Sequence, residues 1–269
     1  MLFLAMLLAS TAVVDRPVAD MYSGPSADRD VVSQAIYGTK VGVMDKMGEW
    51  ARIRTPDDYD GWVPAASILP GGKYAEQGKV AEVQSLFAHL YREPSVTKHA
   101  PVLTVPFETR LEVATASDEW LQVRLVDGGS AWVQQGDVSL DSQRLSIPET
   151  IALAKRFLGL PYTWGGTSSF GYDCSGYMQM LCRRRGYNLP RDAQPQADWT
   201  GVTAVARNQL QPGDLLYFGS SDKNITHTGM YIGNDEFIHA TTHDRPVIQI
   251  GKVSDPHWTE LLVACRRVK

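Results

Sequence analysis

Two hydrophobic rhythms divide this chain. From Asp15 to about Leu140 the apolar residues come in short runs separated by Gly- or Asp-rich turns: Val31 to Ile36, Lys40 to Met44, Trp50 to Arg54, and Gly61 to Pro64. Runs this short, closed by turn residues, predict strands, and strands at this spacing predict a small all-β barrel. The same order then returns. Thr109 to Val113 corresponds to Thr39 to Val43, Glu119 to Arg124 to Glu49 to Arg54, and Ala131-Trp132-Val133 to Gly61-Trp62-Val63. One barrel repeated twice is the expected content of residues 15–72 and 78–141.

After Ser142 the pattern changes. Pro148 to Leu158 has apolar residues at helical spacing, with Gly159 placed to end the helix. Pro161 to Gly166 reads as a rigid loop. A second helix is expected to start at Cys174, with Asp173 as its N-cap and the apolar run Met178 to Cys182 behind it. Strands follow over Pro212 to Phe218, Thr226 to Ile232, Glu236 to Ala240, Val247 to Ile250 and Leu261 to Arg266. A helix packed on an antiparallel sheet makes residues 146–269 an α+β unit.

The chemistry gathers in that unit. A cysteine at a helix N-terminus meets unpaired N–H groups and a partial positive charge, which favour the thiolate. Cys182 and Cys265 lie in apolar runs and are expected in the core, so Cys174 is the cysteine set for chemistry. His227 and His239 fall in consecutive predicted strands, where alternation can turn both toward one cleft. A cysteine, a base and a third polar group are the parts of a cysteine hydrolase. One thiolate and two imidazoles could instead hold zinc. His89, His99, His243 and His257 have no motif around them and are expected at the surface. Trp50, Trp62, Trp120 and Trp132 are expected in barrel cores or at barrel edges. Tyr59, in a polar turn, is expected either to make a contact or to stand at an exposed hairpin tip.

With 43% hydrophobic and 21% charged residues among 269, the chain is an ordinary globular protein. A net charge of −4 offers no field for a phosphate backbone and argues against a nucleic-acid partner. The uncharged run Met1 to Val14, ending in small residues, reads as a signal segment over residues 1–14 and hence as export to the periplasm or envelope. It is too short to span a membrane. The alternatives are a misassigned start and a cytoplasmic protein whose first strand is buried.

Taken together, Pro161-Tyr162-Thr163-Trp164-Gly165-Gly166, Tyr172-Asp173-Cys174-Ser175-Gly176, Leu210 to Leu215, His227 to Gly233 and Phe237-Ile238-His239-Ala240 resemble the NlpC/p60 family of cell-wall cysteine peptidases, in that family's order. The paired Trp motifs of the first half resemble bacterial SH3-like domains. The resemblance implies a papain-like catalytic domain after two SH3-like barrels. It implies Cys174 as nucleophile, His227 as base and then acid, and His239 as the group that orients it, with the Tyr162 hydroxyl as an oxyanion donor. Two such barrels resemble the subgroup that cleaves the γ-D-Glu to diamino acid bond of freed peptidoglycan peptides with a free L-Ala amine. For that subgroup the resemblance implies substrate contacts from Asp173, Ser175, Trp164 and Asp192, and from Tyr59 and Asp30 of the first barrel. No cofactor is implied, and a monomer is expected. The rival readings are an endopeptidase of intact wall held by its barrels, and a wall-binding protein without activity.

Overall fold

The computed structural model describes residues 10–269, in two compact units that meet in sequence between Asp141 and Ser142. The first barrel of unit one is built from β1 (Ser10–Val14), β2 (Val18–Tyr22), β3 (Val31–Ile36), β4 (Lys40–Met47), β5 (Trp50–Arg54), β6 (Asp60–Pro64) and β7 (Ile68–Pro70). They form one sheet in the order β3-β2-β6-β5-β4-β1-β7.

Strand β1 corrects the reading of residues 10–14. Residues 1–9 lie outside the described residues, but Ser10–Val14 belongs to the barrel, paired with β4 on one side and β7 on the other. Ala12 and Val14 enter the first barrel's core, while Val13 points the other way, into the core of the second barrel. A strand buried on both faces shows an unbroken apolar run instead of an alternating one, which is also how a secretion signal reads.

The second barrel comprises β8 (Val80–Val83), β9 (Phe87–Leu90), β10 (Leu103–Pro106), β11 (Arg110–Ala116), β12 (Trp120–Arg124), β13 (Ser130–Gln134) and β14 (Val138–Ser139). The repeat holds at the level of contacts. Trp62 stands opposite Arg52 as Trp132 stands opposite Gln122. Trp50 meets the edge of Tyr22 at 5.3 Å, and Trp120 meets that of Tyr91 at 5.7 Å. All four tryptophans are half-buried. They cover barrel edges while smaller residues such as Ile53, Val63, Leu121 and Val133 fill the cores.

Unit two opens with α1 (Ile147–Lys155). Glu149 accepts hydrogen bonds from the backbone N–H and the hydroxyl of Ser146, so the helix start is held locally. Beyond come β15 (Thr167–Ser168), β16 (Gly171–Tyr172), α2 (Cys174–Arg184), α3 (Ala193–Ala197), β17 (Val202–Ala204), β18 (Leu215–Ser221), β19 (Asn224–Gly233), β20 (Glu236–Thr241), β21 (Val247–Lys252), α4 (Pro256–Leu261) and β22 (Leu262–Val268). The larger sheet runs β17-β22-β18-β19-β20-β21, antiparallel at every pairing. Nearly all of α2 is buried, and the Tyr177 hydroxyl donates to the Ala154 carbonyl of α1 at 2.8 Å. Cys182 and Cys265 are buried, as their apolar runs imply. Among the described residues no helix is long and apolar enough to cross a membrane.

Candidate active site

The site begins at the first turn of α2. Asp173 is the N-cap: its Oδ1 accepts from the Gly176 N–H at 2.7 Å and from the Ser175 hydroxyl at 3.2 Å. Cys174 therefore occupies the first helical position, 8% exposed. The loop before it lies directly on this turn. The Asp173 N–H donates to the Gly166 carbonyl at 3.0 Å, and a Cβ on Gly176 would stand 2.2 Å from that same oxygen. Only glycine permits so close an approach.

Arg191 comes in from the loop before α3 and donates to both oxygens of Asp173, at 3.1 and 2.5 Å, and to the Ser175 hydroxyl at 2.9 Å. Gln196 of α3 donates to the carbonyls of Ser175 and Pro190, fastening that loop to the start of α2.

The histidines stand on the neighbouring strands β19 and β20. His227 Nε2 and His239 Nδ1 are 2.8 Å apart and share one hydrogen bond. That bond leaves His227 Nδ1 as the ring nitrogen not engaged with His239. Helix α2 packs on β19, and the Thr228 N–H is close enough to the Cys174 sulfur to favour its anion, which sets the sulfur near the strand of His227. His239 is 1% exposed, and a Cβ on Gly251 of β21 would come within 3.3 Å of its Nε2. Trp258 of α4 closes this region from above. Its ring stacks on His227 at 5.2 Å and meets the edge of His239 at 4.8 Å. Since the facing nitrogens of His227 and His239 are committed to each other, the zinc reading has no common point for its imidazoles to serve.

Electrostatics correct the expected thiolate. Burial, and then the Asp173 carboxylate, push the Cys174 thiol up to about 12, outweighing the N–H groups of Thr228 and Ser175 and the Arg191 charge. Desolvation of the anion costs more here than the helix terminus returns. His227 is held down at about 3 by burial first and then by His257 and His243, and burial lowers His239 as well. The resting pair is a thiol beside a neutral imidazole, which suits proton transfer as the sulfur attacks.

A dependence of stability on pH follows. An unfolded histidine titrates near ~6.5. Below that value the unfolded chain takes up a proton that folded His227 does not, so stability is complete above ~6.5 and falls as the pH drops toward the folded value. The urea midpoint is expected to fall between about pH 7.5 and about pH 5, and His227→Phe to flatten the slope. Equal slopes in the two proteins would contradict the neutral imidazole at His227.

The structure brings Asp173, Cys174, Ser175, His227 and His239 together. It also sets the half-buried Tyr162 where its phenol feels the charges of Cys174, Asp173 and Arg191. Trp164 is 70% exposed at the tip of its loop, and Asp192 is exposed ahead of α3. Asp30 and Tyr59 belong to unit one. Asp30 is exposed before β3, while Tyr59 leans on the first barrel's core, so the polar turn that carries it is not a free hairpin tip.

Sequence reasoning missed Arg191, although it stands next to Asp192, and it missed α4 with Trp258. Asp255-Pro256 was the available sign, an N-cap followed by a proline at the first helical position. It placed His243 and His257 at the surface, where His257 is exposed and His243 partly so, but gave no sign that they meet. They stack on each other at 3.9 Å, with planes 4° apart, and both touch Trp258.

Comparison with known proteins meets this geometry from outside. The NlpC/P60 family model matches residues 159–267, the bacterial dipeptidyl-peptidase Sh3 domain model residues 21–68, and the YKFC SH3b2 domain model residues 83–140. The chain is 33% identical to the γ-D-glutamyl-L-lysine dipeptidyl-peptidase of Bacillus cereus over 252 residues, 87% of this chain and 74% of that protein. It is 29% identical to the Bacillus subtilis protein of the same name, over 94% of this chain and 86% of that one. A solved structure of an NlpC/P60 family protein from Bacillus cereus superposes with a TM-score of 0.86 at 27% identity, covering 96% of this chain and 99% of that one. Likeness that runs through both barrels and the catalytic unit, with a relative one-third identical across most of both chains, means that this protein belongs to the NlpC/P60 family.

Proposed function

We propose that the protein is a cysteine peptidase that hydrolyses the bond between γ-D-Glu and a diamino acid in peptidoglycan stem peptides, releasing L-Ala-D-Glu from those with a free N-terminus. The observation that carries the chemistry is the Cys174 sulfur held at the start of α2 against the strand of His227, whose far nitrogen is hydrogen-bonded to His239. The substrate comes from the relatives named γ-D-glutamyl-L-lysine dipeptidyl-peptidases.

In this reading His227 Nδ1 takes the Cys174 proton as the sulfur attacks the γ-carbonyl of D-Glu, and returns it to the leaving amine. His239 fixes the ring's tautomer and orientation. The oxyanion forms beside the Cys174 N–H, with the Tyr162 hydroxyl as second donor. Water then releases the acyl group from sulfur. Asp173 enters with its charge already matched by Arg191, so it orders the helix start and leaves much of the ammonium's charge to other acids, of which Asp192 is exposed nearby in sequence. The reading places the protein's work in the cell envelope, where such peptides arise.

The test is mass spectrometry of products from L-Ala-γ-D-Glu-L-Lys and its diaminopimelate analogue, each with a free and an acetylated N-terminus. Release of L-Ala-D-Glu is expected from the free-amine peptides, with the acetylated ones cleaved at least tenfold more slowly, roughly the discrimination an unpaired buried polar group imposes. Equal cleavage of both forms would favour an endopeptidase of intact wall.

A further inference from the structure

The stacked His243–His257 pair has no part in the reaction described above, and it stands on the side of Trp258 that leads out to solvent. His257 is exposed and His243 half-buried, whereas Trp258 beneath them is 6% exposed. The two rings come from different elements, the turn after β20 and the first turn of α4, and stack nearly parallel with centroids 3.9 Å apart. The pair is close enough to His227 to disfavour its protonation.

The general acid fixes which part of a substrate comes here. His227 must hand its proton to the departing nitrogen, so the leaving diamino acid lies along the face of the site that His227 presents, and the acyl part lies toward Cys174. From His227 the wall of the site continues to Trp258 at 5.2 Å and on to His257 at 4.6 Å. The rings thus form a continuous run from the general acid to the pair. The groups at that point are donors: ring N–H groups of His243 and His257, with the exposed Arg245 next in the turn. One acid nearby is engaged elsewhere and one faces the pair from solvent. Asp255 caps α4 through the His257 N–H at 2.9 Å, and the exposed Asp244 stands 3.7 Å from His243 Nε2.

We propose that His243 and His257 form the leaving-group subsite, binding the free carboxylate of the diamino acid and so making the enzyme prefer peptides that end at that residue. This rests on the reaction proposed above. Trp258 acts as the partition that joins the subsite to the general acid, covering the His227–His239 hydrogen bond on one side and carrying the paired imidazoles on the other.

The test compares L-Ala-γ-D-Glu-L-Lys with the same peptide ending in a carboxamide, using the full chain and its His243→Phe/His257→Phe double variant. Phenylalanine keeps two stacked rings on Trp258 and removes the N–H donors. The wild type is expected to favour the carboxylate peptide, and the ratio of kcat/KM between the two peptides to fall about tenfold in the variant, mainly through KM, as for loss of one charge-assisted hydrogen bond. An unchanged ratio with L-Ala-D-Glu still released would overturn the subsite alone. Failure of the wild type to release L-Ala-D-Glu from either peptide would overturn the proposed reaction, and this subsite with it.

Discussion

Replacing Cys174 with alanine is expected to lower release of L-Ala-D-Glu by about 10⁴-fold or more, the loss seen when a covalent nucleophile is removed from a hydrolase that keeps its other groups. The fold should survive. Cys174 occupies the first position of α2, where alanine is the better helix former, and the cap bonds from Gly176 and Ser175 go to Asp173 and not to the sulfur. Two measurements on one sample decide the matter: product formation by mass spectrometry, and thermal unfolding by circular dichroism. A rate within tenfold of wild type at an unchanged melting temperature would remove Cys174 from the mechanism.

The second large effect is expected at Arg191. Its guanidinium is 1% exposed and its partner carboxylate 11%. Arg191→Met should therefore leave Asp173 charged, buried and short of its main partner, costing about 3–5 kcal/mol of stability, the usual result of breaking a buried pair from one side. The same change strips the Cys174 thiolate of the nearest compensating cation while Asp173 still disfavours it, so alkylation by iodoacetamide should slow as well.

The double variant Arg191→Met/Asp173→Asn separates the two causes. An amide in place of the carboxylate keeps a side-chain oxygen for the Gly176 N–H and removes the stranded charge, so more than half of the lost stability should return. Urea unfolding of the wild type, both single variants and the double variant provides the cycle. Additive losses would mean that Arg191 contributes by packing and not by neutralising Asp173.

The two effects mark where sequence reading succeeds and where it stops. That Cys174 opens a helix was legible because its causes are local: an N-cap carboxylate, a glycine two residues on, and apolar residues at helical spacing behind them. The duplicated barrels were legible for a related reason. Trp50 and Trp120, and Trp62 and Trp132, recur with the same neighbours, and strand alternation depends only on residues next to each other in the chain.

Other features depended on what lies across the fold. Ser10–Val14 carries the same apolar run whether it is a signal or a strand, and only pairing with β4 and β7, with cores on both faces, decides for the strand. The helix terminus argued for a thiolate at Cys174, but ionisation responds to everything that displaces water, and burial with Asp173 beside the sulfur reverses the direction. Arg191, Trp258, and the His243–His257 stack reach the site from separate segments with no shared motif. Thus the sequence by itself determined the repeat, most of the elements and the proposed reacting groups, because capping and periodicity act over a few residues. The charge state of those groups and the walls around them were decided by tertiary structure, because desolvation and ring packing are set by atoms distant along the chain.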